Sequence, residues 1–260
     1  MATTDLVNPS SLPLQDRVAI VTGSSRGIGK AIAIHLASLG AKLASNKDQA
    51  DLVAEEINSC CSENTPHATV VQADISVPAQ VKLLFDEAER VFGSQVHVLV
   101  NSAAIANTKY PTIANTLVED FDLSIAEAPF LCCKEAAKRI KQGGGGRIIL
   151  LSSSSVGALR PNSATYTSSK AAELKGTGIT ANCVAPGPIA TDMFFVGRSE
   201  ELVKRVIEAC PHGRLGETKD VAPLVGFLAS DAGKWINGQV IRVNGGHDQE
   251  WCLLQLSRSK

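Results

Sequence analysis

Three features that would point to particular partners are missing from the sequence: a large net charge, a long apolar run and a signal peptide. The formal net charge is -1 and the basic residues are scattered, so neither nucleic acid nor an anionic membrane is an electrostatically favoured partner. No run approaches the roughly 18 apolar residues that a membrane span needs. Residues 1–15 lack the basic start and apolar centre of a secretory signal peptide. Small molecules are therefore the expected ligands.

A cysteine pattern for metal or redox chemistry is also missing. The seven cysteines include the adjacent pairs Cys60/Cys61 and Cys132/Cys133, but they form no C-x-x-C motif and no ligand-like spacing with the five histidines. We interpret them as reduced thiols of an intracellular protein and predict no metal site. The sequence thus predicts a soluble, cytoplasmic protein, although a plastid-type transit segment is only weakly excluded.

What the sequence does have is apolar material for one domain, in alternating strand-like and helix-like segments. Its 260 residues are 44% hydrophobic and 20% charged, which allows a sizeable core. Short apolar runs predict buried strands over residues 17–23, 68–76, 96–104, 147–153, 178–187 and 238–246. Helical spacing predicts helices over residues 29–41, 48–59, 78–93, 118–142, 199–210 and 218–230, with Gly40 ending the first and a bend near Pro129. This alternation predicts a single α/β domain, a doubly wound parallel sheet between two layers of helices.

The first predicted strand is followed by a glycine-rich segment, TGSSRGIG, at residues 22–29. Gly23, Gly27 and Gly29 lie between a strand and a helix, at the edge where α/β sheets bind ligands. Glycines let the backbone approach a pyrophosphate, and the N–H groups at the helix start face its charge. The spacing G-x-x-x-G-x-G differs from the commoner G-x-G-x-x-G of dinucleotide sites, and a turn without a ligand is the alternative.

A hydroxyl-rich segment, residues 152–170, ends in Tyr166-x-x-x-Lys170. Reduction of a carbonyl needs a proton donor, and a tyrosine with its pKa of about 10 can serve once that pKa is lowered. Lys170 lies one helical turn beyond Tyr166, where its charge favours the phenolate. A serine hydroxyl of the same segment can donate to the substrate oxygen as charge develops. The alternative is a surface loop whose hydroxyl groups bond to their own backbone.

Four motifs in this order resemble the short-chain dehydrogenase/reductase family: TGSSRGIG, NSAA at residues 101–104, Tyr166-x-x-x-Lys170 and PGPIAT at residues 186–191. Segments such as GGGGRIILLSS and NGQVIRVNGG resemble a plant NADPH-dependent aldehyde reductase-like group within the family. The resemblance implies a Rossmann-fold domain over residues 14–246, a flexible N-terminal segment over residues 1–13 and a C-terminal tail over residues 247–260.

The resemblance also assigns catalytic and cofactor-binding positions. Family spacing to Gly157 and Tyr166 selects Ser154 as the catalytic serine, with Ser153 as the second choice. It implies that Tyr166 is the proton donor, and that Lys170 lowers its pKa and holds the nicotinamide ribose. The implied cofactor-binding residues are Gly23, Ser25, Arg26, Gly27, Ile28, Gly29, Asp74, Asn101, Ala103, Tyr166, Lys170, Pro186, Gly187, Ile189 and Thr191.

Some of these positions carry further detail. Arg26 lies where NADP-using relatives place a basic residue for the 2'-phosphate, so NADPH is predicted over NADH; a solvated surface arginine is the alternative. Asp74 matches a contact to the adenine amino group, or it is a helix N-cap. Asn101 begins the element that backs the cofactor, although Ala104 replaces the family's glycine there. Residues 186–191 match the loop that holds the nicotinamide carboxamide.

Three segments are shorter than the family pattern. The strand after residues 40–43 is at most a stub, the helix near Ile125 is slightly short, and the segment after Ala172 lacks about ten residues, or about 15 Å of helix. The mid-helix asparagine that anchors a water in the family's proton relay is missing between Asn115 and Asn162. Either the printed sequence omits parts of the natural chain, or the protein is a shortened variant with impaired reductase function.

The sequence therefore predicts an NADPH-dependent reductase that converts an aldehyde or ketone, a small-molecule substrate, to an alcohol by hydride transfer. The alternative is a family member that binds the cofactor but is catalytically impaired and has an interaction or regulatory role. Met193, Phe194 and Phe195 either form an apolar lid over the substrate or pack as an ordinary helix. The resemblance also implies a homodimer or homotetramer.

Overall fold

Seven parallel strands form one sheet at the centre of the computed structural model, which describes residues 12–46, 50–60, 66–103, 127–154 and 174–247. The strands are β1 Val18–Thr22, β2 Lys42–Asn46, β3 Ala68–Val70, β4 Val96–Asn101, β5 Arg147–Leu151, β6 Thr180–Pro186 and β7 Val240–Val243. Their order is β3-β2-β1-β4-β5-β6-β7, and every ladder is parallel. The strand order reverses between β1 and β4, so ligands are expected in the crevice at the carboxyl ends of these two strands.

Helices cover both faces of this sheet. They are α1 Gly27–Ser38, α2 Asp51–Ser59, α3 Pro78–Phe92, α4 Glu127–Arg139, α5 Asp192–Phe195, α6 Glu200–Glu208 and α7 Thr218–Ala229, followed by a 3-10 turn at Asp231–Gly233. The apolar side chains of α1, α2 and α7 pack against one face, and those of α3 and α4 pack against the other. The prediction of a doubly wound, three-layer α/β fold is therefore confirmed.

The strand β1 shows why a continuous apolar run suits this architecture. All five of its residues are buried; Ala19 and Val21 contact the core on one face, whereas Val18 and Ile20 contact the core on the other. A strand that is covered on both faces has no polar side. Full burial of a side chain such as Ile20 stabilises the fold by roughly 1.5–3 kcal/mol. The central place of β1 thus dictates its composition.

Two strands differ in length from the prediction. β2 is not a stub, because it pairs with β1 along all five of its residues and with β3 on its other side. Leu43, Ala44 and Ser45 are buried in it, and ladder bonds on both sides hold the strand although its apolar run is short. β3 is shorter than predicted, since beyond Val70 the ladder continues only through the bond from Val71 N to Ser45 O.

Helix ends follow local sequence signals. Gly40, with φ +94°, follows the end of α1 as predicted, and Gly93, with φ +62°, is the left-handed cap of α3. Pro129 lies in the first turn of the described part of α4; residues 118–126 of the predicted helix lie outside the described residues. Within the described part of the chain, every helix falls short of the length and apolarity of a membrane span.

Candidate active site

The loop between β1 and α1 contains glycines because its backbone lies very close to other backbone atoms. Gly23 has φ +69° and Gly27 has φ +57°, both in the left-handed region. An ideal Cβ on Gly23 would lie 2.7 Å from the Cα of Ala103, and one on Gly29 would lie 2.2 Å from the Gly23 carbonyl oxygen. Because these contacts are with backbone atoms, side chains cannot be accommodated at either position. The loop is thus pressed against the segment that follows β4.

The start of α1 is suited to an anion. Its N-cap, Arg26, makes no side-chain capping bond. The first N–H groups of the helix carry the positive end of the helix dipole. Arg26 itself is exposed and forms no ion pair with another described residue. A glycine cradle, an uncapped helix start and a free cation together fit a dinucleotide that carries an additional phosphate.

Thr22, the last residue of β1, connects the glycine loop to the end of β4 through hydrogen bonds of its side chain. Its hydroxyl donates to Asn101 Oδ1 at 2.7 Å and accepts from the backbone N–H groups of Ser102 and Ala103, each at 3.1 Å. The amide nitrogen of Asn101 is buried and has no hydrogen-bond partner among the described residues. Sequence reasoning had singled out Asn101 but not Thr22, although a threonine at the strand end directly before Gly23 was a visible signal.

Ser154 lies just beyond β5, where the pairing with β6 continues. Ser152 N donates to Val184 O and Ser154 N donates to Pro186 O, both at 2.8 Å. Ser154 is 6% exposed. The other two predicted catalytic residues, Tyr166 and Lys170, lie outside the described residues.

Two sets of backbone hydrogen bonds, here called clamps, hold the loop after β6 in place. Gly187 N donates to Val243 O at 2.9 Å, and a reciprocal pair joins Ala190 N to Gly216 O at 2.8 Å and Gly216 N to Pro188 O at 2.9 Å. A Cβ on Gly187 would lie 2.7 Å from the Cα of Asn244, so this glycine is required by packing. Gly216, a clamp residue far along the sequence, could not be assigned from motif spacing alone.

The same loop ends beside the glycine loop of β1. Thr191 is the N-cap of α5, and its side chain accepts from Phe194 N at 3.4 Å. The Thr191 Cγ2 atom lies 3.6 Å from the Cβ position of Gly27. In α5, Met193 and Phe195 are exposed, and no residue of the helix is buried. Phe194 is half-buried and its ring contacts that of Phe195.

Asp74 is an exposed residue of the segment between β3 and α3. Its Oδ1 accepts from the Ser76 hydroxyl at 2.7 Å and from Ser76 N at 2.9 Å, and these bonds hold the pKa of the carboxyl below its usual value. The N-cap of α3 is Val77, so the interpretation of Asp74 as a helix N-cap is wrong. The short side chain instead closes the turn in front of the helix, a role that aspartate favours through its local backbone bonds.

Most of the predicted site residues therefore gather at the carboxyl ends of the central strands. By strand, they are Gly23, Ser25, Arg26, Gly27, Ile28 and Gly29 after β1; Asn101 at the end of β4 and Ala103 after it; Ser154 after β5; and Pro186 at the end of β6 with Gly187, Ile189 and Thr191 after it. Asp74 lies after β3, at the same edge of the sheet. This arrangement, with the glycine cradle at the switch point, defines a dinucleotide-binding protein of the Rossmann class.

Comparison with known proteins narrows this class to a family. The family model described as enoyl-(acyl carrier protein) reductase matches residues 23–248. The chain belongs to the short-chain dehydrogenase/reductase family, and the resemblance inferred from its motifs is confirmed. Its class of activity is accordingly that of an oxidoreductase.

Three relatives illustrate the similarity. The NADPH-dependent aldehyde reductase-like protein, chloroplastic, of Arabidopsis thaliana is 56% identical over 269 aligned positions, covering 95% of this chain and 100% of its own. NADPH-dependent aldehyde reductase 2, chloroplastic, of the same plant is 55% identical, covering 98% and 100%. A short chain dehydrogenase of Burkholderia cenocepacia, solved in complex with NADP, has a TM-score of 0.77 at 29% identity, covering 90% and 99%.

These relatives bear on three predictions. The alignment of 269 positions is longer than the 260 residues of this chain, so the first relative has segments without a counterpart here, in agreement with the predicted shortening. Their names agree with the prediction of NADPH as cofactor.

Both plant relatives are named chloroplastic, and the prediction of a cytoplasmic location is therefore wrong. Charge and composition of a folded domain hardly differ between these compartments, so they carried no signal for the plastid.

Proposed function

We propose that this protein is an NADPH-dependent reductase that converts an aldehyde or ketone to the corresponding alcohol. The observation that carries the proposal is the convergence of three elements at one edge of the sheet: the glycine cradle, Ser154 and the clamped loop after β6. The backbone bond between Ser154 and Pro186 joins two of them directly, and the Thr191 Cγ2 atom lies 3.6 Å from the Cβ position of Gly27 in the third. The plant relatives, named as aldehyde reductases, support the choice of substrate class.

The chemistry follows from the side chains assigned to the site. NADPH, when bound, supplies a hydride to the carbonyl carbon. The Tyr166 hydroxyl gives its proton to the carbonyl oxygen, so that carbon and oxygen each gain one hydrogen and an alcohol results. The Lys170 ammonium group lowers the pKa of Tyr166 by favouring the phenolate. The Ser154 hydroxyl donates to the same oxygen while negative charge develops on it.

Arg26 supports NADPH rather than NADH. Its guanidinium is exposed beside the uncapped start of α1 and is not neutralised by a described carboxylate. Arginine binds a phosphate through two parallel hydrogen bonds, which suits the 2'-phosphate that distinguishes the two cofactors. The relatives named as NADPH-dependent agree with this assignment.

Replacement of the proposed proton donor tests the function. The chain contains two tyrosines, Tyr110 and Tyr166, so Tyr110→Phe is a matched control for Tyr166→Phe. We expect Tyr166→Phe to lower kcat by roughly 10²–10⁴-fold, measured as NADPH consumption with a panel of aldehydes and ketones, while Tyr110→Phe keeps its activity. Undiminished turnover by Tyr166→Phe would rule out this proton donor.

A second candidate function rests on the shortened segments. The protein lacks positions that its plant relative has, and the relay asparagine is missing from residues 116–161. Such a protein would bind NADPH and serve an interaction or regulatory role with little catalysis. Two measurements separate the functions: calorimetric titration measures NADPH binding, and the activity assay measures turnover. NADPH binding without turnover of any carbonyl compound of the panel favours the second function, whereas turnover excludes it.

We further propose a plastid location and a homo-oligomeric state. The chloroplastic names of the two plant relatives support the location. A fusion of the full chain to a fluorescent protein in leaf cells checks it, and fluorescence confined to the cytosol would contradict it. The oligomer is supported by β7, which is an edge strand of the described sheet, and by three exposed apolar side chains, Phe227, Trp235 and Val240.

A further inference from the structure

A cavity of about 230 Å³ lies next to the loop that follows β6. Its described walls come from that loop, from α6, from residues 210–216 and 220 and from the segment after β7. Among the described site residues, Ile189 lines the cavity, whereas Ser154, Thr191 and the glycine loop do not. The cavity therefore lies apart from the glycine cradle and from Ser154, although it adjoins the same loop.

One part of the cavity wall is aliphatic. It consists of Pro188, Ile189, Val206, Leu215 and Val243. All of these side chains except that of Ile189 are only half-buried. An apolar occupant would remove the remaining surface from water, which is favourable.

The charged groups of the wall neutralise each other. Arg214 Nη1 and Nη2 donate to the two carboxylate oxygens of Asp220 at 2.6 and 3.1 Å. Because this fork-to-fork pair already satisfies the guanidinium, it offers no unpaired charge to an occupant. The wall therefore favours an apolar group over a carboxylate or a phosphate.

The last described residue, His247, is fixed in this wall. Its N–H donates to Asn244 O at 3.0 Å, and its carbonyl oxygen accepts from Asn244 Nδ2 at 2.8 Å. The residue lines the cavity and is 5% exposed. The residues that follow it in the chain therefore start at the cavity.

An apolar segment comes shortly after this point. Residues 249–260 lie outside the described residues and beyond the family match, which ends at residue 248. Residues 248–250 are polar, and five of the six residues at 251–256, WCLLQL, are apolar. A contiguous apolar surface is rarely left exposed to water unless it binds something. Four residues span at most about 14 Å, so the position of Trp251 is within reach of the aliphatic wall.

We propose that residues 251–256 dock on the aliphatic wall of this cavity in their own chain, with Trp251 as the anchor. An indole side chain buries roughly 150–250 Å², an area that suits a patch of four half-buried side chains. A tether this short gives an effective concentration on the order of a millimolar, so a weak contact is sufficient. The same tether favours the segment of the same chain over that of a second copy.

Docking at this place supports the loop after β6. Both clamps of that loop border the cavity, since Val243 and Gly216 line it. A segment that covers the wall shields the clamp hydrogen bonds from water and holds the loop proposed to bind the nicotinamide. The docking itself does not depend on the reductase reaction.

Tryptophan fluorescence tests whether the segment is docked. The chain has two tryptophans, Trp235 and Trp251, so all tryptophan emission of the full-length Trp235→Phe variant comes from Trp251. We expect this emission to be blue-shifted and poorly quenched by acrylamide in the folded protein, and red-shifted and readily quenched in urea. Dilution should leave the protection unchanged, because the contact is within one chain. Equal quenching in the folded and unfolded protein, or protection that disappears on dilution, would overturn the proposal.

Methyl NMR of the full chain locates the contact. Trp251→Ala should shift the labelled methyl resonances of Val206 and Leu215, because the ring current of the indole is removed from the wall. Trp235→Ala, at a residue that is 95% exposed, is the matched control and should leave both resonances in place. Unshifted resonances in Trp251→Ala would contradict docking at this cavity even where Trp251 is protected from acrylamide. Neither experiment measures NADPH turnover, so its failure is distinct from a failure of the proposed function.

Discussion

Gly23 combines two constraints that can be separated by mutation. Its φ of +69° disfavours any side chain, and its Cβ position is 2.7 Å from a backbone atom of Ala103. Gly93 has a similar φ of +62° but no atom within 4 Å of its Cβ position. An alanine at Gly93 therefore suffers only left-handed strain, about 1–2 kcal/mol, whereas an alanine at Gly23 also displaces the loop after β4.

We accordingly expect Gly23→Ala to lose at least about 2 kcal/mol more stability than Gly93→Ala, since overpacking against backbone adds its own cost. It should also lose NADPH binding, because Gly23 belongs to the proposed phosphate cradle. Urea unfolding of both variants, together with calorimetric titration of NADPH, measures the two effects. Equal losses of stability would show that the contact between the two loops is relaxed at little cost.

For single residues, the sequence predicted the type of a functional residue better than it predicted the contacts of that residue. The glycines were recognisable because their spacing matches a backbone requirement, and Ser154 was selected by its distance from Tyr166. The bond from Ser154 N to Pro186 O was not predictable, since it depends on the register between two strands that lie far apart in the sequence. The multiple bonds of the Thr22 hydroxyl depend on tertiary packing in the same way.

Among the helices, α7 begins with a capping arrangement that is sensitive to acid. Asp220 accepts from Glu217 N at 2.8 Å and from Arg214, and these bonds lower the pKa of Asp220 from 3.8 to about 2. A carboxyl whose pKa is lower in the folded state stabilises the fold above its unfolded pKa, and the contribution disappears as the pH falls through the folded pKa.

Asp220→Asn should therefore destabilise the protein by about 1 kcal/mol at neutral pH, a value reduced from the full shift because the side chain is 33% exposed and screened by solvent. The difference from the unmodified protein should shrink between about pH 4 and pH 2. Denaturant unfolding as a function of pH measures it. Arg214→Gln removes the same pair from the other side and should behave alike, whereas stability curves that stay parallel across this range would contradict the assignment.

Strands and helices were predictable where one sequence signal, either an apolar run or a helical periodicity, dominates. Apolar runs such as β1 and periodic helices such as α3 appear near their predicted bounds. β2 was misjudged because Leu43 and Ala44 form only a short apolar run, and the ladders to β1 and β3 that hold this strand cannot be inferred from local composition. The N-cap alternative for Asp74 was wrong for a related reason, since an aspartate before a helix can close the preceding turn instead of capping the helix.

For the whole molecule, the open edge of the sheet predicts self-association. Trp235 is 95% exposed, and Phe227 and Val240 are 40% and 38% exposed. If a second copy covers this surface, Trp235→Glu should shift the protein toward the monomer, because a charge would be buried without a partner. Light scattering after size exclusion measures the mass. Leu52→Glu, at a residue of α2 that is 69% exposed, is the control and should leave the mass unchanged; an unchanged mass for Trp235→Glu would exclude this surface as the interface.

The parallel order of the sheet also has a consequence for how the chain is made. No strand of the described sheet forms a hairpin with its neighbour, so each ladder requires the closure of a long crossover. Thr22 and Asn101, which pair at the ends of β1 and β4, are 79 residues apart. On a ribosome, one edge of the apolar β1 therefore stays open until β4 has emerged and crossed to it. Folding should be slow by the measure of contact order, and the nascent chain is most exposed to aggregation during that interval.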